Sequence, residues 1–338
     1  MSLSALLWGA LACACGSKAN STGGADNASE VTGVSAALSW LPDEAAARPD
    51  ADSLYAFTEA QVKLGPRVPG TEAHKACREL LIAELTRMGV DTVSVQTVPV
   101  TFHDGKHATA YNIMGSINPS ANDRVLLLAH YDTRPTADED PYAANHSRPI
   151  DGANDGASGV AVLLETARVL AQHPAGNLGV DLLFVDAEDS GETGGDESTW
   201  CLGSQEWAKN PPYTNENRPA FGILLDMVGG ADARFPREYI SDRYARSVND
   251  KVWSTAAAAG YSDRFPNSTG GSIIDDHIYI NRAGIPCIDI IESANPQTGS
   301  FNPTWHTMDD NLSNIDRNTL RAVADVVIAT LRRQSSEN

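Results

Sequence analysis

Past about residue 50 the chain moves between two hydrophobic rhythms. Asp52 to Leu64 has helical spacing, and Gly65 to Thr71, "GPRVPGT", predicts a turn. In "TEAHKACRELLIAELTRMGV" the residues Ala73, Cys77, Leu80, Leu81 and Leu85 share one helical face, with Gly89 as the stop. Val93 to Ile117 switches to strand alternation, and Asp104-Gly105 inside it predicts a two-residue hairpin turn. His103 and His107 flank that turn and read as solvated hairpin residues rather than ligands.

From there strands and helices alternate. "RVLLLAH", "VDLLFVDAED", "FGILLDMVGG" and "IPCIDIIES" are nearly continuous apolar runs, as expected of strands covered on both faces in a parallel sheet. "GASGVAVLLETARVLAQH" puts Val160, Leu163, Leu164, Ala167 and Leu170 on one helical side. A final helix starts at about Asp316, and Asp275 to Arg282 begins a further short helix or loop. This order predicts an α/β fold, a largely parallel sheet with helices on both faces. No repeat or Pro/Gly-rich linker interrupts it, so 51–338 reads as one domain.

The remaining segments are of another kind. Residues 1–15 form an apolar stretch ending in small residues, the pattern of an export signal too short to span a bilayer, and 16–50 are a polar linker. Cys15 before Gly16-Ser17 resembles a bacterial lipoprotein attachment site, with Cys13 as the competing residue. The expectation is therefore a periplasmic or membrane-anchored lipoprotein. Of the 5 cysteines, Cys77, Cys201 and Cys287 remain in the folded part, without metal-type spacing. They read as small buried hydrophobes, and a disulfide among them stays open.

Composition narrows the partners. The 338 residues are 42% hydrophobic and 20% charged, enough for a large core. A net charge of −19 argues against nucleic acid or an anionic membrane surface as the main partner. It also favours ligands that carry a free amino group.

The charge is not evenly spread. Gly179 to Thr193, "GVDLLFVDAEDSGET", runs from an apolar strand directly into Asp186, Glu188, Asp189 and Glu192. Taken alone, such a run is more often a solvated loop. Yet other strands end the same way: "LLLAHYD" in His130 and Asp132, "ILLDMVGG" in Asp226. "DGANDGASG" adds Asp155 just before a helix, and "PTWHTMDDN" adds His306. Carboxylates and imidazoles gathered at the carboxyl edge of one sheet point to a site suited to zinc, which takes N and O ligands. Asp155 could equally be a helix cap.

With these motifs in this order, the chain from about Ala51 to Leu331 resembles the zinc-dependent aminopeptidase-like family, peptidase family M28, whose α/β/α hydrolases include the animal-type glutaminyl cyclases. The resemblance implies a three-layer α/β/α sandwich with a mixed, mostly parallel sheet and zinc at the carboxyl ends of its strands. It places the family's metal positions on His130, Asp155, Asp189, Asp226 and His306, and its general acid/base on Glu188. Dizinc aminopeptidases use all five positions, so the ligand set does not choose between the two chemistries. Asp275, in "IIDDHIYINRAGIPCIDII", and Trp305, directly before His306, resemble the cyclases. Asp189 stands where Glu is more frequent, and Asp289 where animal cyclases have histidine.

The resemblance thus implies cyclisation of N-terminal glutamine of peptides or proteins to pyroglutamate with release of ammonia. One Zn2+ is expected on Asp155, Asp189 and His306; Glu188, Asp275 and Asp226 are the catalytic carboxylates, and Trp305 and Trp200 wall the substrate, Trp200 with ordinary packing as the alternative. A dizinc aminopeptidase, with His130 and Asp226 on a second ion, is the competing enzyme. A catalytically dead surface-binding lipoprotein is a third reading, disfavoured because no ligand is missing.

Overall fold

The computed structural model describes residues 47–337. The expected export segment, the attachment cysteines and nearly all of the linker lie outside the described residues. Helix α1 (Ala51–Val62) begins behind Asp50, whose carboxylate accepts Ser53 N–H at 2.7 Å. Helix α2 (Glu72–Met88) is capped by the Thr71 hydroxyl and stopped by Gly89, left-handed at φ 80°. Strands β1 (Thr92–Thr101) and β2 (His107–Ile117) pair antiparallel, with Thr101 opposite His107. The hairpin loop is therefore five residues rather than two, because Asp104 uses its carboxylate to hold the Lys106 N–H at 2.9 Å and widens the turn.

Strands β3 (Arg124–His130), β4 (Gly179–Val185), β5 (Phe221–Leu225) and β6 (Cys287–Ile290) complete a six-stranded sheet in the order β1-β2-β4-β3-β5-β6. β2 runs antiparallel to β4, whereas β4, β3, β5 and β6 are mutually parallel. The sheet is mixed and mostly parallel, as expected. Every residue of these four parallel strands is buried, which explains their unbroken apolar runs. Alternate side chains serve two layers. Leu127, Ala129, Leu182, Phe184, Ile223 and Ile290 face one apolar layer, and Leu126, Leu128, Leu183, Val185 and Leu224 face a smaller one.

The first layer is filled by α1, α2, α3 (Ala157–Gln172) and the long α8 (Arg317–Glu337), with α6 (Arg246–Ala258) beside them. The second takes Trp207 from α4 (Leu202–Trp207) and Ile280 from α7 (Asp276–Arg282), with α5 (Tyr239–Tyr244) packed on β6. Helix α3 is buried almost all round, not on one side only, because α1 and α8 cover the face turned from the sheet. Cys77, Cys201 and Cys287 are buried and free, so no disulfide joins them. Among the described residues no helix is long and apolar enough to cross a membrane.

Candidate active site

The carboxyl ends of four parallel strands open on one cavity of about 350 Å³. β4 continues through Asp186 and Ala187 into Glu188 and Asp189; β5 continues into Asp226; β3 ends on His130. The loop before α3 brings Asp155, the N-cap of α7 brings Asp275, and the loop before α8 brings His306. Among the described residues six non-glycine residues adopt positive φ, and four of them hold this edge: Ala187, Cys201, Met227 and His306. A left-handed residue costs about 1 kcal/mol or more, so the fold spends strain where side chains must be aimed.

Backbone anchors make these turns rigid. Asp132 is fully buried and accepts the N–H groups of Glu188 and Asp189, both at 3.2 Å. Asp310 does the same for Asn154 (2.7 Å) and Asp155 (3.0 Å), and burial raises its carboxyl to about 7. Arg67, wholly buried, donates to the carbonyls of Tyr131, Asp151 and Gly152 and ties the β3 exit to the Asp155 loop. The position before α3 is filled by Gly156 at φ 94°, with no side-chain cap. The Asp155 carboxylate is thus free of the capping role open to it from sequence.

Instead it faces two ways. Asp155 Oδ1 lies 3.1 Å from His130 Nε2, which is also 3.2 Å from Asp226 Oδ1. Asp155 Oδ2 lies 3.6 Å from His306 Nε2, itself 3.0 Å from Asp189 Oδ1. In each trio the donor atoms sit within 4.8 Å of one another. Ligands on tetrahedral zinc, at about 2.0–2.1 Å, stand about 3.3 Å apart. Both Asp189 oxygens are buried, and the sole donor near them is the His306 ring edge, 3.0 Å from Oδ1. Buried polar atoms left so are costly unless a cation takes them, so the donor set fits zinc. Asp189 is pushed up to about 6 by burial and by Asp155.

Next to this cradle stands a second group of acids. Glu188, half-buried at the cavity wall, has its carboxyl raised well above the usual range by loss of water and by Asp275, Asp189 and Asp276, against the pull of His130. Asp275 is raised likewise by burial and by Asp226 and Asp276. Glu188 and Asp275 also approach Cys201: their nearest donor atoms all lie within 4.8 Å. Behind them Asp276 is raised to about 7 and Asp289 well above its usual range, burial being the main cause. Such crowding cannot leave every member ionised, so the group stores protons.

Aromatic side chains line the opening. The Trp305 ring lies 3.8 Å from that of His306 at 23°, with Phe301 against it at 4.7 Å. Trp200 is parallel to His306 at 6.2 Å, and the Arg134 guanidinium sits 4.7 Å from its ring. Both tryptophans line the cavity and are half-buried. The structure thus brings together all eight expected site residues and His130, and leaves His103 and His107 on the exposed hairpin. Sequence reasoning missed the anchors Asp310 and Arg67, and with them Arg134, which donates to the carbonyls of Asp189 (3.1 Å) and Gly191 (2.7 Å). For Asp310 and Arg67 the one signal was an acid or arginine inside a loop motif already singled out, "WHTMDDN" and "GPRVPGT"; Arg134 lies just past "LLLAHYD" and carried none.

A three-layer α/β/α sheet with a cradle of carboxylates and imidazoles at its strand ends defines the class of a metal-dependent hydrolase fold. The chain belongs to peptidase family M28, whose model matches residues 112–331. Among solved structures, it is similar to the glutaminyl cyclase of Bacteroides thetaiotaomicron bound to N-acetylhistamine: 47% identical, over 84% of this chain and 98% of that one, at TM-score 0.81. A Zn-dependent exopeptidase from Parabacteroides distasonis is 45% identical over 86% and 99%, also at 0.81. The glutaminyl-peptide cyclotransferase of Bos taurus is 26% identical over 283 residues, 75% of this chain and 74% of that protein.

Proposed function

We propose that the chain is a glutaminyl-peptide cyclotransferase acting on peptides or proteins with N-terminal glutamine. The observation that carries this is Asp275, an acid placed beside Glu188 in the cavity wall, where the resemblance to aminopeptidases would imply a small residue. Similarity to cyclases named as such supports it.

Asp155, Asp189 and His306 would hold one zinc, which when bound supplies a Lewis acid for the side-chain amide carbonyl. The rest falls to the chain. Trp305 and Trp200 flank the glutamine side chain and exclude water. Glu188 takes a proton from the α-amine as nitrogen attacks the side-chain carbon, then delivers it to the departing nitrogen, which leaves as ammonia. Nucleophile and electrophile belong to one residue, so the cavity need only fix one rotamer, and proximity does much of the work. Asp275, itself raised by Asp226, keeps Glu188 beside an acid, which holds its proton affinity high enough to carry the proton.

A second reading has specific support: His130, Asp155 and Asp226 form an equally tight trio, as a dizinc aminopeptidase would need. Zinc stoichiometry separates the readings on metal count, and a Leu-initiated peptide separates them on chemistry. Export and lipid attachment at Cys15 or Cys13 rest on sequence outside the described residues. Metabolic labelling with a radioactive fatty acid tests them, and unlabelled protein in the soluble fraction would exclude the anchor.

A further inference from the structure

Glu188, Cys201 and Asp275 form a third donor trio, apart from the two that share Asp155. It is soft on one corner, because it includes the sulfur. Cys201 is held in place firmly: it is left-handed at φ 55°, its N–H donates to Glu188 C=O at 3.0 Å, and Leu202 and Gly203 continue the stitching onto Ala187 and Asp186. Its Sγ lies 3.3 Å from Glu188 Oε1. On tetrahedral zinc a thiolate at about 2.3 Å and a carboxylate oxygen at about 2.0 Å stand about 3.5 Å apart. The observed spacing is close to that edge without rearrangement.

Asp275 supplies the independent sign of a missing cation. It is 3% exposed, uses Oδ1 for Asp276 N–H at 2.6 Å, and leaves Oδ2 buried with no N–H donor, the Asp289 carboxyl being a further acid against it. Glu188 and Asp275 both border the cavity, so an ion entering from solvent reaches them directly. Among the described residues no Lys or Arg lines that cavity to oppose it.

We propose that Glu188, Cys201 and Asp275 are an inhibitory site for a thiophilic divalent cation, cadmium or zinc in excess, separate from the cradle on Asp155, Asp189 and His306. Binding expels to solvent the Cys201 thiol proton and the proton stored on the Glu188 and Asp275 carboxyls, and forms one metal–sulfur and two metal–oxygen bonds. It also ties up Glu188. Its inhibitory consequence rests on Glu188 as proton carrier, whereas the binding itself does not.

The test uses the zinc-loaded enzyme, dialysed against cadmium chloride, with cadmium and zinc counted by elemental analysis and the thiolate-to-cadmium absorption followed in the near ultraviolet. The expected result is one cadmium gained with zinc retained, the thiolate band present, and turnover of a Gln-initiated peptide reduced at least tenfold, all reversed by a mild chelator. Cys201→Ser should lose the band and bind cadmium at least tenfold more weakly, with Cys77 and Cys287 still present as internal controls. Asp275→Asn, which keeps the sulfur, should also weaken cadmium binding and serves if Cys201→Ser does not fold. Cadmium that merely replaces zinc one for one, or a band that survives Cys201→Ser, overturns the site. Binding without inhibition would leave the site standing and count against Glu188 as proton carrier.

Discussion

At the scale of single residues, neighbouring positions on one loop have been given opposite tasks. Asp189 sets Oδ1 3.0 Å from His306 Nε2 in the cradle, and Glu188, one residue earlier, faces Asp275 and Cys201. The turn that presents them starts at Ala187, left-handed at φ 53°, and is fixed by Asp132 beneath both N–H groups. Glu188→Gln keeps the shape and removes the proton site, so zinc should stay bound while turnover falls about 10²–10⁴-fold. Near-normal turnover would exclude Glu188 from proton transfer. His306→Ala should give a folded protein that loses most of its zinc and its activity; stoichiometric zinc by elemental analysis would refute its place as a ligand.

At the scale of elements, the parallel strands were legible because complete burial leaves an unbroken apolar run, and β3 lies over the quoted "RVLLLAH". Helices α4 and α5 were not, since six residues are too few to display a helical period. The site was legible residue by residue at strand ends, but its anchors were not: Asp310 and Arg67 act on backbone far away in sequence, and only the fold reveals those partners. Close packing places the site. A Cβ at Gly159 on α3 would collide with the Leu225 carbonyl at the exit of β5, one residue before Asp226. Gly159→Ala should therefore cost about 1–3 kcal/mol in urea unfolding; an unchanged midpoint would contradict that contact. At the opposite end of the sheet, Arg124 clamps Asp181 with bonds of 2.7 and 2.9 Å, both groups buried. Arg124→Met leaves that carboxylate without its cation and should cost about 3–5 kcal/mol, while kcat per folded molecule stays unchanged. A loss below 1 kcal/mol would show the pair to be dispensable.

At the scale of the whole molecule, a net charge of −19 and a cavity lined by acids suit a cationic guest such as a peptide's free α-ammonium. Both chemistries within the family begin with such a guest, and similarity to a named cyclase and a named exopeptidase differs by only 47% against 45% identity. What separates them is the fate of the bond. The most direct test incubates one peptide beginning with Gln and one beginning with Leu with the zinc-loaded enzyme and reads both by mass spectrometry. The account predicts that the Gln peptide becomes lighter by one ammonia with its residue count intact, and that the Leu peptide is untouched. Free Leu, with the Gln peptide uncyclised above its spontaneous background, would contradict it and assign His130 and Asp226 to a second zinc.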